Sequence, residues 1–351
     1  MNGETQQSTA DISTQHKIWK YLKNIAYTVF VVLTDSYGVL MTVFLVLRLF
    51  VDEFQWPIIG VFNSAFPMAL LPVFIMLPGS LYIRRWRLAS FTLPALLFFV
   101  FNYGVFFLPN SIDVADDAPT LTILSYNTKS AQNPADPIAD VILAADADIV
   151  LLQEMSVPLA EYLAVELIEE YPYQALYGIP RNVMGQGVLS RYPITADELL
   201  KIVNRKGFLR VEIEIDGQAI TIYNIHPHVP MYSSGFHGKG QKMAIDEIMV
   251  MVESEVNPVI IGGDMNMTDQ FSAYRHITAD LHDAYREVGW GLGFTFPNLS
   301  GTSFSIFPRI LRLDYVFYDN TFQATEARVW SSSGGSDHRP LLVTLAIVSD
   351  E

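Results

Sequence analysis

The chain has 351 residues and no cysteine, which excludes disulfides and thiolate metal sites and leaves its redox compartment unread. Its 37 acidic and 22 basic residues give a formal charge of −15, and the excess is unevenly placed: residues 1–110 hold seven Lys/Arg against five Asp/Glu, the remainder fifteen against thirty-two. So acidic a second part disfavours duplex DNA, whose binding rests on phosphate neutralisation by Lys and Arg, although divalent cations can bridge carboxylates to phosphate.

A positive mean hydropathy at this length points to a part that is not water-soluble. Three hydrophobic stretches, roughly 25–51, 56–78 and 88–108, are each long enough to cross a hydrocarbon core of about 30 Å. A cleaved signal peptide would be single and shorter. Asp35 in the first stretch must face protein or water rather than lipid. Pro57, Pro67, Pro72 and Pro78 interrupt the second, which is expected to be kinked or incompletely inserted. Lys17, Lys20 and Lys23 precede the first stretch, and Arg84, Arg85 and Arg87 separate the second from the third. The positive-inside rule puts both groups in the cytoplasm and the Asp52-Glu53 connection outside. Three crossings then leave everything after Leu108 extracytoplasmic, and a re-entrant stretch would reverse that. The expected organisation is a membrane domain over 1–110, an acidic, proline-bounded linker over 111–118 and a soluble domain over 119–351.

From Leu121 onward short apolar runs alternate with polar helical windows. Strands are predicted at 121–126, 149–152, 187–190, 208–215, 219–225, 259–261, 313–318 and 341–347, and helices near 137–145, 157–169, 240–253 and 272–281. Many strands with few helices favour two stacked sheets covered by helices over a purely parallel sheet.

The ends of these strands are polar in a way that hydrophobic patterning does not demand. The run from Val259 to Gly263 delivers Asp264-Met265-Asn266, placing a carboxylate and an amide at the carboxyl end of a buried strand, where α/β folds put their chemistry. The strand at 121–126 runs into Asn127, and IVLLQ ends in Glu154, whose charge at an apolar strand end would be offset by a hard divalent cation. ITIYNI delivers His226, followed by His228, for which a structural role is favoured. Asp314 sits between apolar neighbours, a costly placement without a partner, and a Ser-Gly-Gly-Ser turn leads into Asp337-His338. Phosphate-ester hydrolysis needs neutralised equatorial oxygens, a directed water and help for the leaving oxygen. Glu154 and Asp337 can hold Mg²⁺ or Mn²⁺, Asn127, Asn266 and His226 can donate, Asp264 can accept a water proton, and His338 held by Asp314 can exchange one.

The segments LSYNTKS, DADIVLLQEM, GQGVLSRYPI, YNIHPH, VIIGGDMN, FTFPN, RLDYVFYD and GSDHRPLLV, in that order, resemble the endonuclease/exonuclease/phosphatase (DNase I-like) superfamily over residues 119–348. The resemblance implies a four-layer α/β/β/α sandwich with these segments meeting at one end of two facing sheets, here preceded by three transmembrane helices. It implies Glu154 as the principal metal ligand with Asn127 beside it, Asp264 as the carboxylate that orients or activates water, and Asn266 as a phosphate or transition-state contact. By the same resemblance His226 donates to a non-bridging oxygen, Asp314 orients His338, and Asp337 contributes to a second or mobile metal position. Smaller candidates are Arg181, Asn182 and Gln186 before GQGVLSR, Arg191, the loop group His237, Lys239 and Lys242, and a lipid-facing rim of Trp290, Phe294, Phe296, Phe304 and Phe307.

The superfamily takes nucleic acid, inositol phosphate, sphingomyelin and lipid pyrophosphate, so it does not choose the substrate. The arrangement of three spans before such a domain is similar to bacterial membrane phosphatases related to the teicoplanin-resistance protein. The expected protein is a Mg²⁺- or Mn²⁺-dependent phosphoesterase of the plasma (inner) membrane. It would cleave a phosphodiester or pyrophosphate bond of a phosphorylated lipid or polyprenyl pyrophosphate at the bilayer. An extracytoplasmic nuclease and a non-catalytic membrane scaffold or receptor are the alternatives.

Overall fold

The computed structural model describes the chain apart from residues 1–2, 55, 109–113, 116, 131, 181–183, 204, 233–234, 237, 300–307 and 349–351. Arg181, Asn182, His237, Phe304 and Phe307 therefore lie outside the described residues. The chain divides into two compact units, one formed by Met1–Val51 with Pro67–Asn102 and the other by Asp52–Phe66 with Tyr103–Glu351.

The first unit holds α1 (Gly3–Leu47). The chain then contributes α2 (Pro57–Ser64) to the second unit, and continues through α3 (Phe66–Leu70), α4 (Val73–Tyr82) and α5 (Trp86–Tyr103). Two helical stretches, Gln15–Leu47 and Trp86–Phe107, are long and apolar enough to cross a membrane, and a third candidate arises if Pro57–Ser64 and Phe66–Tyr82, bent by 80°, count as one span. That bend lies in the proline-interrupted second stretch, where missing backbone donors weaken a continuous helix. Within the first unit the helices pack through ring contacts such as Phe74 on Phe99, edge to face at 4.9 Å.

The second unit runs on through β1 (Thr120–Asn127), α6 (Ala135–Ala145), β2 (Ile149–Gln153), α7 (Val157–Glu166), β3 (Tyr173–Tyr177), β4 (Gln186–Ser190), β5 (Ile194–Ile202), β6 (Arg205–Ile215) and β7 (Gln218–Ile225). A short ribbon of β8 (Met231–Tyr232) and β9 (Gly235–Phe236) precedes α8 (Gly238–Glu253) and β10 (Val259–Asp264). The last elements are α9 (Ser272–Ile277), β11 (His282–Asp283), α10 (Ala284–Val288), β12 (Asp314–Tyr318), β13 (Phe322–Val329) and β14 (Leu341–Ile347).

Two six-stranded mixed sheets result, ordered β13-β14-β1-β2-β4-β3 and β11-β12-β10-β7-β6-β5. Alternation along each strand explains the layering. Leu124 and Tyr126 of β1 and Val150 and Leu152 of β2 pack under α6 and α7, whereas Tyr223 and Ile225 of β7 and Val259 and Ile261 of β10 pack under α8 and α9. The intervening residues face the other sheet: Gln153 Nε2 donates to Asn224 Oδ1 at 2.7 Å, and Asn224 Nδ2 donates to the Leu152 carbonyl at 2.9 Å. These bonds tie the two sheets together across the gap, although Gln153 Oε1 stays buried without a partner.

Strands β3, β5 and β13 and helix α10 were not among the predicted elements, and the predicted helix at 272–281 stops at Ile277. These three strands are sheet edges, as is the two-residue β11, which was likewise not predicted, nor was the β8–β9 ribbon. The β5 sequence ITADELLKI keeps a run of four exposed residues, so its polarity reads as a loop.

Candidate active site

Register brings the polar strand ends together. β1 and β2 run parallel with Asn127 opposite Gln153, and β10 and β12 run antiparallel with Asp264 opposite Asp314. Asn127 and Asp264 close their strands while Asp314 opens an antiparallel one, so all three lie at the same end, on the faces turned toward the gap between the sheets. Two glycines make room for this: a Cβ on Gly262 would come within 2.3 Å of Leu151 Cδ1, and one on Gly263 (φ +144°) within 2.0 Å of the Ile225 carbonyl oxygen.

Asn127, fully buried, donates from Nδ2 to Glu154 Oε1 at 3.0 Å and to Asp264 Oδ2 at 2.9 Å, holding two carboxylates around one amide. Glu154 follows β2 with φ at +52°, an uncommon conformation for a residue with a side chain. Its carbonyl accepts from the Ser130 hydroxyl at 2.9 Å, which fixes the turn and leaves the carboxylate partly exposed. His226, buried just past β7, places Nε2 at 3.5 Å from Asp264 Oδ2 and 3.8 Å from Glu154 Oε1. Asp264 also accepts from the Asn266 backbone N–H at 2.9 Å, while Asn266 (φ +50°) donates from Nδ2 to the Pro227 carbonyl at 3.0 Å.

On the other flank His338 and Asp314 share a 2.9 Å contact between Nδ1 and Oδ2, and His338 Nε2 stands 3.5 Å from Asp264 Oδ2. Burial opposes a charge on the imidazole, but the Asp314 and Asp264 carboxylates outweigh it and push the His338 pKa up to about 10. Burial pushes Asp314 upward while the neighbouring imidazole pulls it back, so the shared proton resides on His338. The Phe296 ring covers that imidazole at a centroid distance of 4.8 Å.

All the predicted residues, Asn127, Glu154, His226, Asp264, Asn266, Asp314, Asp337 and His338, thus belong to the same end of the two sheets. Asp337 differs in its bonding, being paired to Lys129 Nζ at 2.6 Å. Of the smaller candidates, Arg191 bridges Asp146, Asp148 and Glu170 at the surface, Lys242 pairs with Asp246, and Trp290 packs on Phe107. Two contributors escaped the sequence reading. Lys129 stands two residues after Asn127 in LSYNTKS, and Ser336, just before Asp337, donates its hydroxyl to the Asn127 carbonyl at 2.7 Å and so staples the last motif to the first. Asn298 of FTFPN holds the same turn, donating to the Ser333 hydroxyl at 2.8 Å and the Ser336 carbonyl at 3.0 Å.

A cavity of about 380 Å³ opens on these groups, lined by Lys129, Glu154, Asp264, Asn266, Asp337 and His338 on its polar side. The donor set fits a hard divalent cation: Asp264, Asp314 and His338 present ligand atoms within 4.8 Å of one another, and Glu154 adds an accessible carboxylate oxygen beside Asp264. Within the triad, His338 Nδ1 is already engaged by Asp314, so oxygen ligation centres on the Glu154 and Asp264 side.

The sequence profile of the Endonuclease/Exonuclease/phosphatase family matches residues 124–338. The structure is similar to that of zebrafish (D. rerio) TDP2 in complex with a single-strand DNA product, with a TM-score of 0.54 at 16% identity over 64% of this chain and 98% of that one. A family member from Bacteroides vulgatus superposes with a TM-score of 0.53 at 18% identity over 66% of this chain and all of that one. A mannosyl-6-phosphatase of Bacteroides thetaiotaomicron gives 0.51 at 19% identity over 65% and 100%. At these identities the likeness is one of fold. No curated protein matches the chain. On its sequence profile and its site together, the chain belongs to the endonuclease/exonuclease/phosphatase family and is a divalent-metal-dependent hydrolase of phosphoric esters.

Proposed function

We propose that this protein hydrolyses a phosphodiester or pyrophosphate bond of a membrane-associated phosphorylated lipid, as a multi-pass protein of the branch resembling teicoplanin-resistance-type phosphatases. The observation that carries the reading is the presence, in one chain, of the family's site and of at least two helices suited to crossing a membrane. Anchoring confines the site to the bilayer surface, where lipid headgroups stand at high effective concentration.

In this reading residues 1–110 form the membrane region, 111–118 the linker and 119–351 the catalytic domain, with segment 52–66 added to the catalytic body. Asp52–Phe66 and Tyr103–Glu351 share one compact unit, which supports an even number of crossings for the residues between them. Adding α1 makes three, with the catalytic unit extracytoplasmic by the charge bias of Lys17, Lys20, Lys23, Arg84, Arg85 and Arg87.

Mg²⁺ or Mn²⁺ held by Glu154, with Asn127 beside it, would supply charge neutralisation at the phosphate oxygens. Asp264, fixed by Asn127 and Asn266, orients the attacking water and accepts its proton. His226 and Asn266 contact the non-bridging oxygens. His338, kept protonated by Asp314, donates to the phosphate. Asp337 would serve a second or mobile cation only by exchanging the Lys129 ammonium that neutralises it.

The test is a screen of the purified full-length protein in bilayers, with Mg²⁺ or Mn²⁺, against sphingomyelin, phosphatidylinositol, undecaprenyl pyrophosphate, nucleotides and DNA, with Asp264→Asn as control. Product masses identify the bond. Efficient DNA cleavage with every lipid phosphate left intact would overturn the reading in favour of a nuclease.

A further inference from the structure

Ser64, the last residue of α2, lines the same cavity as Glu154, Asp264 and His338 although some 60 residues separate it from the nearest family motif in sequence. Its placement is enforced. The Asn63 carbonyl accepts from the Thr268 hydroxyl at 2.7 Å, and Asn63 Nδ2 donates to the Gln270 carbonyl at 3.3 Å. Glu53, only 1% exposed, accepts from both the backbone N–H and the hydroxyl of Ser272 at 2.7 Å. Segment 52–66 is thereby fastened at one end to the loop that follows Asn266 and at the other to the start of α9.

The cavity has two kinds of lining. Besides the charged and amide groups it is walled by Val229, Pro230, Met267, Leu311 and Leu313, with the hydroxyls of Ser64 and Thr268 among them. Among these the hydroxyl protons are spent: the Ser64 hydroxyl donates to the Gly60 carbonyl at 3.0 Å, and that of Thr268 to the Asn63 carbonyl at 2.7 Å. A sugar or base placed there would lose water and find no free hydroxyl donor among these residues, whereas a hydrocarbon chain would lose nothing.

We infer that Ser64 and the strip of Val229, Pro230, Leu311 and Leu313 form the subsite for the hydrocarbon segment attached to the phosphate, with Ser64 setting how much of it fits. The inference rests on the lipid-phosphate reading and assigns specificity to a helix at the start of the second hydrophobic stretch, outside the catalytic family's own motifs.

The experiment uses the purified full-length protein in one detergent with Mg²⁺ and a series of alkyl 4-nitrophenyl phosphodiesters from methyl to octyl, each releasing 4-nitrophenolate. Burial of a methylene is worth about fourfold in affinity, so kcat/KM for the octyl ester should exceed that for the methyl ester at least tenfold in the native protein. Ser64→Trp, which fills the subsite, should lower that octyl-to-methyl ratio at least fivefold, chiefly through KM. Val229→Asp, at a position 41% exposed and so outside the core, should do the same by making the wall polar. Partition of the esters into detergent is common to all three proteins and cancels between them. A native preference for octyl that survives unchanged in both variants overturns the subsite and leaves the lipid reading standing. No native preference, with DNA hydrolysed, overturns both.

Discussion

Asp264 sits where two histidines, an asparagine and a backbone N–H converge, and that convergence sets what single substitutions should do. Asp264→Asn keeps the shape but removes the proton acceptor, and Glu154→Gln removes a charge from the cation's oxygen set. Each should lower kcat by about 10²–10⁴ while the thermal midpoint of the full-length protein stays within a few degrees, and full turnover in either purified variant would refute the role of the residue replaced. EDTA should abolish activity and added Mg²⁺ or Mn²⁺ restore it. Asp314→Asn tests a positioning role: Asp314 and Asp264 are the groups that hold the proton on buried His338, so the variant should lower kcat and move the alkaline fall of its pH profile to lower pH than in the native protein. An alkaline limb left in place would mean that the pair only supports the fold. Most of these residues were legible because a carboxylate, amide or imidazole at the end of an apolar strand has no patterning reason to be there. Lys129 and Ser336 were not, since a lysine and a serine in polar turns look like solvated surface until Asp337 and the Asn127 carbonyl are seen to receive them.

At the scale of elements, legibility followed burial. β1, β2, β7, β10 and β14 are interior strands with long apolar runs, and the predicted strands fell on them; β3, β5 and β13 are edges, where one side of the ladder faces water and polar residues are tolerated. One tie between elements could not be read at all. Glu255, just beyond α8, accepts from Arg210 Nε at 2.6 Å and Arg210 Nη2 at 2.8 Å on β6, and from the Tyr223 hydroxyl at 2.6 Å on β7. The Arg210 bonds hold the Glu255 carboxylate below its ordinary range despite its burial. A carboxylate depressed in the folded state stabilises the protein above the unfolded pKa of about 4.3, and that contribution disappears as pH falls through the lower folded value. Glu255→Gln should therefore cost about 1–2 kcal/mol near pH 7, with the difference from the native protein shrinking in acid. Chemical denaturation of both proteins at pH 7 and near pH 3 reads it, and a gap that persists undiminished at low pH would show that the charge contributes nothing.

For the molecule as a whole, the sequence suggested a membrane part that ends near residue 110, but segment 52–66 groups with the catalytic unit through bonds that span more than two hundred positions, such as Glu53 to Ser272. No local pattern could announce them. Their consequence is topological: a chain that leaves one compact body after Phe66 and rejoins it at Tyr103 must turn back between, and the turn is where Arg84, Arg85 and Arg87 stand. If residues 67–102 cross twice, Arg87 lies on the side of the membrane opposite Val256, which is 97% exposed on the catalytic unit. If the stretch is re-entrant, the two lie on the same side. The native chain has no cysteine, so a single one introduced by Arg87→Cys or Val256→Cys is the only thiol present. With a membrane-impermeant maleimide added to intact cells, Val256→Cys should label at once and Arg87→Cys only after permeabilisation. Simultaneous labelling of both from outside would reduce segment 67–102 to a re-entrant loop and break the parity argument. Labelling of Arg87→Cys alone would reverse the orientation and put the catalytic site in the cytoplasm, where the lipid phosphates of the inner leaflet would become its substrates.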